Sequence, residues 1–199
     1  HVHSTYSTDA FLWALPLNHG KGVHPVADAC DYARYCSAID FWAITDHAEA
    51  LTPARWAETK DAVRQCQAKS VDQNNPDLVS LIGFEWTQVG PTPAEHFGHK
   101  NVIFLGLGDN EVAARPIAAQ GAATDALRTH AAGMPALVSV ADFKNRQIYY
   151  DLNTFLKNTR DVPACDEALP SSELPSNCYE SAPLPGELID RIADQGLDP

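Results

Sequence analysis

The segment AIDFWAITDH at residues 38–47 joins a near-continuous apolar run to an Asp–His pair. Such a run is typical of a strand that is buried on both faces, as in a parallel sheet. Two further apolar runs follow it, DLVSLIGFEW at 77–86 and NVIFLGL at 101–107. Because a helical segment separates the first two runs, the pattern predicts an α/β protein.

That helical segment, at residues 52–70, carries the signals of a helix start. Thr52 is suited to cap it, and Pro53 is favoured in the first turn. The later segments are predicted as a helix at 124–132, a fourth short strand at 135–142 and an amphipathic helix at 184–196.

Length and charge narrow the range of functions. The chain has 199 residues, which suits a single domain at 1–199, and it has no apolar run as long as a membrane span. Its formal net charge of −12 argues against nucleic acid and against an anionic membrane surface as partners. An acidic protein that acts on an anionic substrate needs bound cations, so the eight histidines become important.

The cysteines predict an oxidising compartment. Cys165 and Cys178 enclose a polar loop, at about 163–180, that contains few residues able to pack. We expect a disulfide there, the alternative being two free buried thiols. Cys30, Cys36 and Cys66 can supply a second bridge, and the sequence leaves their pairing open.

Residues that bind metals occur at the ends of the apolar runs. His1 and His3 are two positions apart, so in an extended strand they project to the same face. The next candidates lie at the ends of the three runs or directly beside them: Asp46, His47, Glu85, His96 and His99. Each has an ordinary structural explanation by itself, such as a helix cap or a salt bridge. Their joint position favours a site, because loops at parallel strand ends converge.

The combination of imidazole and carboxylate favours Zn, Mn or Fe over the all-oxygen set preferred by Ca or Mg. The sequence contains no G-x-S-x-G elbow, phosphate-binding P-loop or dinucleotide-binding glycine motif. A carboxylate that bridges two metals is typical of sites that activate water against phosphate esters.

These motifs together resemble the PHP (polymerase and histidinol phosphatase) superfamily, and within it the DUF3604 group. The resemblance is carried by HVHS with Asp9, AITDH at 43–47, GFE at 83–85 and HKNVIF at 99–104. It implies a distorted (β/α)7 barrel with two or three divalent metal ions, and hydrolysis of phosphate esters by a metal-activated water. Members commonly appear exported, which implies a periplasmic or secreted protein.

The resemblance also assigns roles to individual residues. It implies catalytic roles for Glu85, Asp46 and His47, with Asp46 supporting its neighbour. Glu85 matches the bridging carboxylate, and His96 is a reserve for His99. The implied metal ligands are His1, His3, Asp9, His47, Glu85 and His99.

The sequence departs from the family pattern in its later part. The family has a further histidine and an Asp-x-His pair, whereas only His130 follows His99 here. The first strand, which should precede His1, is also missing. We therefore expect an incomplete portion of the barrel, from the N-terminal part of a longer protein.

The substrate is predicted to be a small molecule with an anionic ester. Lys21 and Lys100 are candidates to contact the anion, and Trp13 is a candidate to line the cleft. Three alternatives remain: a metal-dependent amidohydrolase, an exported metal-binding domain without catalysis, and a copper site that uses His1 as a true N-terminus. The sequence does not define the substrate, the metal or the oligomeric state.

Overall fold

The computed structural model describes residues 1–198, so Pro199 of the predicted domain lies outside the described residues. The helices are α1 (Thr8–Ala14), α2 (Val26–Tyr35), α3 (Pro53–Ala68), α4 (Ala122–Asp125, continued by a π-helical turn Ala126–His130), α5 (Ala136–Ala141), α6 (Arg146–Arg160) and α7 (Pro185–Asp194). The strands are β1 (Phe41–Ile44), β2 (Val79–Gln88), β3 (Gly98–Phe104), β4 (Ile117–Ala119) and β5 (Glu180–Ala182).

The strands form two small sheets over residues 1–198, in the orders β1–β2–β3 and β4–β5. In the first sheet, β1 and β2 are parallel and are joined through α3, as the sequence predicted. In the second sheet, β4 and β5 are also parallel. The protein is therefore mixed α/β.

The predicted (β/α)7 barrel is wrong, since no closed barrel occurs within the described chain. The reason lies at residues 89–97, where the chain turns back without a helix. A parallel connection needs a long crossover, whereas this short return places β3 antiparallel to β2.

The predicted strand at 135–142 is also wrong, because this segment contains α5. Its large apolar side chains are mostly exposed, with Leu137 at 75% and Val140 at 70%. A short apolar run does not distinguish helix from strand, and here no neighbouring strand covers it.

The main core lies between the three-stranded sheet and α3. Ile82, Phe84 and Trp86 alternate along β2 and are fully buried, and Trp56 of α3 packs edge-on against Phe84. The buried indole N–H of Trp56 donates to the carbonyl of Ala113 at 2.8 Å, so its polar group is satisfied. This buried face packs β2 into the core, and the opposite face of the strand carries Gly83, Glu85 and Thr87.

Buried Arg55 connects the start of α3 to α6. Its guanidinium donates to the carbonyls of Ala50 and Phe155 and to the hydroxyl of Thr159, at 2.6–2.8 Å. Thr52 caps the same helix, as predicted, by accepting from the amide of Arg55 at 3.3 Å. These bonds hold the turn Ala48–Ala50, which follows directly on His47.

Two disulfides are present within residues 1–198. Cys165–Cys178 confirms the predicted bridge, and Cys30–Cys66 ties α2 to α3. Cys36 is exposed and free. The 163–180 loop is closed a second time by backbone bonds between Cys165 and Tyr179 and between Tyr179 and Pro163.

Between His1 and residue 198, no helix is both long and apolar enough to cross a membrane.

Candidate metal centre

The ends of β1 and β2 place His47 beside Glu85. The parallel pairing continues past β1 as a bridge between these two residues, and the amide of Glu85 donates to the carbonyl of Asp46 at 2.9 Å. Because β3 is antiparallel, its beginning meets the same edge, and His99 pairs with Thr87. The edge therefore collects residues from the ends of two strands and the start of a third.

The N-terminal segment adds two histidines to this edge. Val2 pairs with Ile44, donating to the carbonyl of Ala43 at 3.0 Å and accepting from Thr45 at 2.9 Å. His1 and His3 flank Val2 and lie on one face, with ring centroids 4.7 Å apart. This is the arrangement that their spacing predicted.

In the described part of the chain, three overlapping groups of side chains can hold a metal ion. They are His1–His3–Glu85, His3–Asp9–His47 and His47–Glu85–His99. All six predicted ligands thus occur in these groups, and neighbouring groups share residues. The identity and number of ions are not defined by the arrangement.

Several separations suit a cation better than a direct hydrogen bond. Asp9 lies 3.7 Å from His3 Nδ1 and 3.7 Å from His47 Nε2, and His1 Nε2 lies 3.7 Å from Glu85 Oε2. A Zn²⁺ ion is held about 2.0–2.2 Å from nitrogen and oxygen ligands, so one ion can span each gap. The residues present therefore fit a divalent metal.

Glu85 is the carboxylate shared by these side chains, and only 3% of it is exposed. His3 Nε2 lies 3.0 Å from its Oε2, the hydroxyl of Thr87 donates to Oε1 at 3.0 Å, and His99 Nδ1 also contacts Oε1. Burial alone would raise the pKa of Glu85, but nearby His47 and the hydrogen bonds from His99 and Thr87 lower it. Glu85 is therefore held as an anion.

The charge balance of the centre favours a bound cation. The nearby imidazoles of His3 and His47 hold the pKa of Asp9 well below its usual range. Burial by itself lowers the pKa of His47, but Asp9, Glu49 and Glu85 outweigh it and raise the pKa to about 9. The carboxylates thus favour the protonated, positively charged imidazoles. A divalent ion can take the place of these protons and supply the positive charge instead.

Glu49 is a buried carboxylate that the sequence did not single out. Its Oε1 lies 3.6 Å from His47 Nδ1, and its buried Oε2 has no hydrogen-bond partner among residues 1–198. Burial raises the pKa of Glu49, against the opposing effect of His47. When ionised, Glu49 is a third carboxylate near His47, besides Asp9 and Glu85.

Asp46, predicted as catalytic, is engaged by the backbone and hydroxyls of the N-terminal segment. Its carboxylate accepts from the amide and hydroxyl of Ser4, both at 2.7 Å, and from the hydroxyl of Ser7 at 2.9 Å. Burial raises its pKa, although these bonds favour the ionised form. The structure places Asp46 as the anchor that fixes the loop between His3 and α1.

Of the three residues predicted to contact the substrate, two lie in one cavity and the third lies elsewhere. Trp13 and Lys21 line a cavity of about 340 Å³ together with His3, so this cavity adjoins one residue of the metal groups. The Lys100 ammonium instead contacts the carbonyl of Phe97, and the reserve ligand His96 is exposed in the preceding loop.

Three residues of the centre were not found from the sequence: Thr45, Glu49 and Thr87. Thr45 Oγ1 lies 2.6 Å from His1 Nδ1, and Thr87 Oγ1 lies 3.0 Å from His47 Nδ1. Thr87 follows Glu85 by two positions, so strand periodicity places both on one face. That spacing was the available signal, whereas the position of Glu49 depends on the turn Ala48–Ala50.

A scan against protein-family models and searches of the curated proteins and of the solved structures found no match to this chain.

Proposed function

We propose that this protein is a metal-dependent hydrolase that acts on phosphate esters. The observation that carries the proposal is the convergence of four histidines with Asp9 and Glu85 on one edge of the sheet. A cavity lined by Lys21 and Trp13 adjoins His3 in this cluster. The proposed cofactor is two or three ions of Zn, Mn or Fe, because these metals accept mixed imidazole and carboxylate ligands.

Different residues of the chain would bind the metal ions and the substrate. His1, His3, Asp9, His47, Glu85 and His99 would hold the ions. A divalent cation bound there supplies a Lewis acid and lowers the pKa of a coordinated water. Lys21 would bind the anionic group of the substrate in the adjoining cavity, and Trp13, which is 71% exposed, would cover an apolar part of it.

Charge supports an ester of phosphate over an amide as the substrate. The protein has a formal net charge of −12, so an anion approaches favourably only where cations gather. Lys21 and the proposed ions provide such a place. The resemblance to PHP phosphoesterases points to the same reaction, and a metal-dependent amidohydrolase is the second candidate because the same activated water can attack a C–N bond.

The two disulfides fit an oxidising compartment, and we propose that the protein is exported to the periplasm or secreted. A non-catalytic metal-binding domain in that compartment is the alternative to an enzyme.

The test is hydrolysis of p-nitrophenyl phosphate, bis(p-nitrophenyl) phosphate and p-nitroacetanilide by protein loaded separately with Zn²⁺, Mn²⁺ or Fe²⁺. We expect turnover of a phosphate ester that a chelator abolishes and the metal restores. Turnover of the anilide alone would favour the amidohydrolase. Stoichiometric metal binding without turnover of any substrate would favour the non-catalytic domain.

A further inference from the structure

Thr87 of β2 lies at the junction of three side chains of the metal centre. Its hydroxyl oxygen is 3.0 Å from Glu85 Oε1, 3.0 Å from His47 Nδ1 and 3.1 Å from His99 Nδ1. The residue is 8% exposed, and strand pairing fixes its backbone opposite His99. Because threonine is β-branched, its χ1 has few alternatives in a strand. Thr87 therefore holds a defined position between these groups.

The direction of these hydrogen bonds follows from the groups involved. The hydroxyl of Thr87 has one proton, which it donates to Glu85. Its lone pairs are then directed at the imidazoles, and an imidazole nitrogen in contact with them must donate. The other atoms near His47 Nδ1 are also acceptors, Glu49 Oε1 at 3.6 Å and Glu85 Oε1 at 3.7 Å. The hydrogen of His47 is thus fixed on Nδ1.

The other nitrogen of His47 has different surroundings. Nε2 lies 3.7 Å from Asp9 Oδ2, too far for a hydrogen bond and suited to two ligands of one cation. We propose that Thr87 is a positioning residue that fixes Nδ1–H of His47 and so presents Nε2 to a cation shared with Asp9. This inference rests on the proposed metal site. It adds that Nε2 is the nitrogen of His47 that binds the cation, and that Thr87 determines this choice.

The end of β1 shows the same arrangement a second time. Thr45 Oγ1 lies 2.6 Å from His1 Nδ1, and its hydroxyl can donate to the carbonyl of Val2 at 3.4 Å. His1 Nε2 is thereby turned toward Glu85 Oε2 at 3.7 Å. A threonine thus lies at the end of each of the two parallel strands, Thr45 contacting Nδ1 of His1 and Thr87 contacting Nδ1 of His47 and His99. Such partners fix the orientation of metal-binding imidazoles in proteins generally.

The test uses Thr87→Val, which removes the hydroxyl and keeps the shape, and Thr87→Ser, which keeps the hydroxyl. The matched control is Thr59→Val in α3, because Thr59 is fully buried and its hydroxyl has no partner among the described residues. Zn²⁺ affinity is measured by competition with a chromophoric chelator, and folding is checked by circular dichroism. Loss of such a partner typically weakens metal binding about 10–100-fold, which we expect for Thr87→Val. Thr87→Ser and Thr59→Val should stay within about threefold of the wild-type affinity, well below that effect.

A second measurement needs no variant. In zinc-loaded wild-type protein, long-range proton–nitrogen NMR spectra of the histidine rings should show His47 bound through Nε2, with a proton on Nδ1. Binding through Nδ1, or an unchanged affinity in Thr87→Val, would overturn the role of Thr87 while leaving the metal site intact. A wild-type protein that binds no Zn²⁺, Mn²⁺ or Fe²⁺ would instead overturn the proposed function and this inference with it.

Discussion

His47 and Glu85 occupy paired positions where two parallel strands end, with His47 Nδ1 3.7 Å from Glu85 Oε1. The pairing is a backbone property, set by the register of β1 and β2, so it does not depend on either side chain. The two residues are far apart in the sequence, and the register of the two strands brings them together. A cation that bound there would meet side chains whose backbone is fixed by the sheet, which would limit the ordering cost of binding.

Lys21 is predicted to contribute to substrate affinity and not to metal binding. It lines the cavity that His3 also lines. If it contacts an anionic ester, Lys21→Ala should raise KM by about 10–150-fold, since a hydrogen bond to a charged group contributes about 1.5–3 kcal/mol. Metal content should not change. The measurement is steady-state kinetics on the phosphate ester found to be a substrate.

Lys100→Ala is the matched control for Lys21→Ala. Lys100 was an equal candidate in the sequence, but its ammonium contacts the carbonyl of Phe97. We expect KM to stay near the wild-type value in this variant. A KM that stays at the wild-type value in Lys21→Ala would mean that Lys21 does not bind the anion in the cavity beside His3.

Glu180 is predicted to be important for stability, away from the metal centre. Its buried carboxylate accepts from Ser171 at 2.7 Å and Arg191 at 3.1 Å, with Arg115 at 3.4 Å. Glu180→Ala leaves two guanidinium groups without this partner, one of them buried, and should lower the free energy of unfolding by about 3–5 kcal/mol. Urea unfolding followed by tryptophan fluorescence measures this change.

Glu173→Ala is the control for that experiment, because Glu173 is exposed in the same part of the chain. Its effect should stay within about 0.5 kcal/mol, as for other surface substitutions. A Glu180→Ala protein as stable as this control would show that the buried network contributes no net stability.

The disulfides are predicted to stabilise the protein substantially. Cys30–Cys66 and Cys165–Cys178 close loops with sequence separations of 36 and 13 residues. Bridges of this kind contribute about 3 kcal/mol each, so reduction should lower the melting temperature strongly. The comparison is thermal unfolding of metal-free protein with and without a phosphine reductant. Cys36→Ser should behave as wild type in both conditions, because Cys36 is free. Identical melting curves for oxidised and reduced protein would contradict the prediction.

The sequence predicted the local elements of the first half of the chain well. The apolar runs ending at Asp46 and containing Glu85 became β1 and β2, and the capped segment after Thr52 became α3. These predictions succeeded because hydrophobic burial and capping act over a few residues. The positions of His47, Glu85 and His99 next to the strand ends also anticipated that these side chains lie close together, whereas Asp9 was proposed only from the family resemblance.

The antiparallel direction of β3 and the helical structure of α5 could not be predicted from local sequence patterns. Whether β3 runs parallel or antiparallel depends on whether residues 89–97 fold as a turn or a helix. Gly90, Pro91 and Pro93 favour a turn, but turn signals alone do not fix the direction of the next strand. The apolar run after Pro135 lacks the strand partner that would have buried it, so it forms an exposed helix. Both outcomes are decided by tertiary contacts, which local patterns do not contain.

The most direct test of the proposed metal centre is metal content per chain, measured by plasma mass spectrometry. Wild type and two variants are prepared without chelator or affinity-metal resin and are then offered Zn²⁺, Mn²⁺ and Fe²⁺. Glu85→Gln removes the shared anion of the centre, and Glu95→Gln is the control because Glu95 is exposed in the loop before β3. We expect about two or three equivalents in wild type and Glu95→Gln, and loss of most of that metal in Glu85→Gln. Wild-type protein without bound metal, or Glu85→Gln protein with the full wild-type content, would contradict the proposed metal centre.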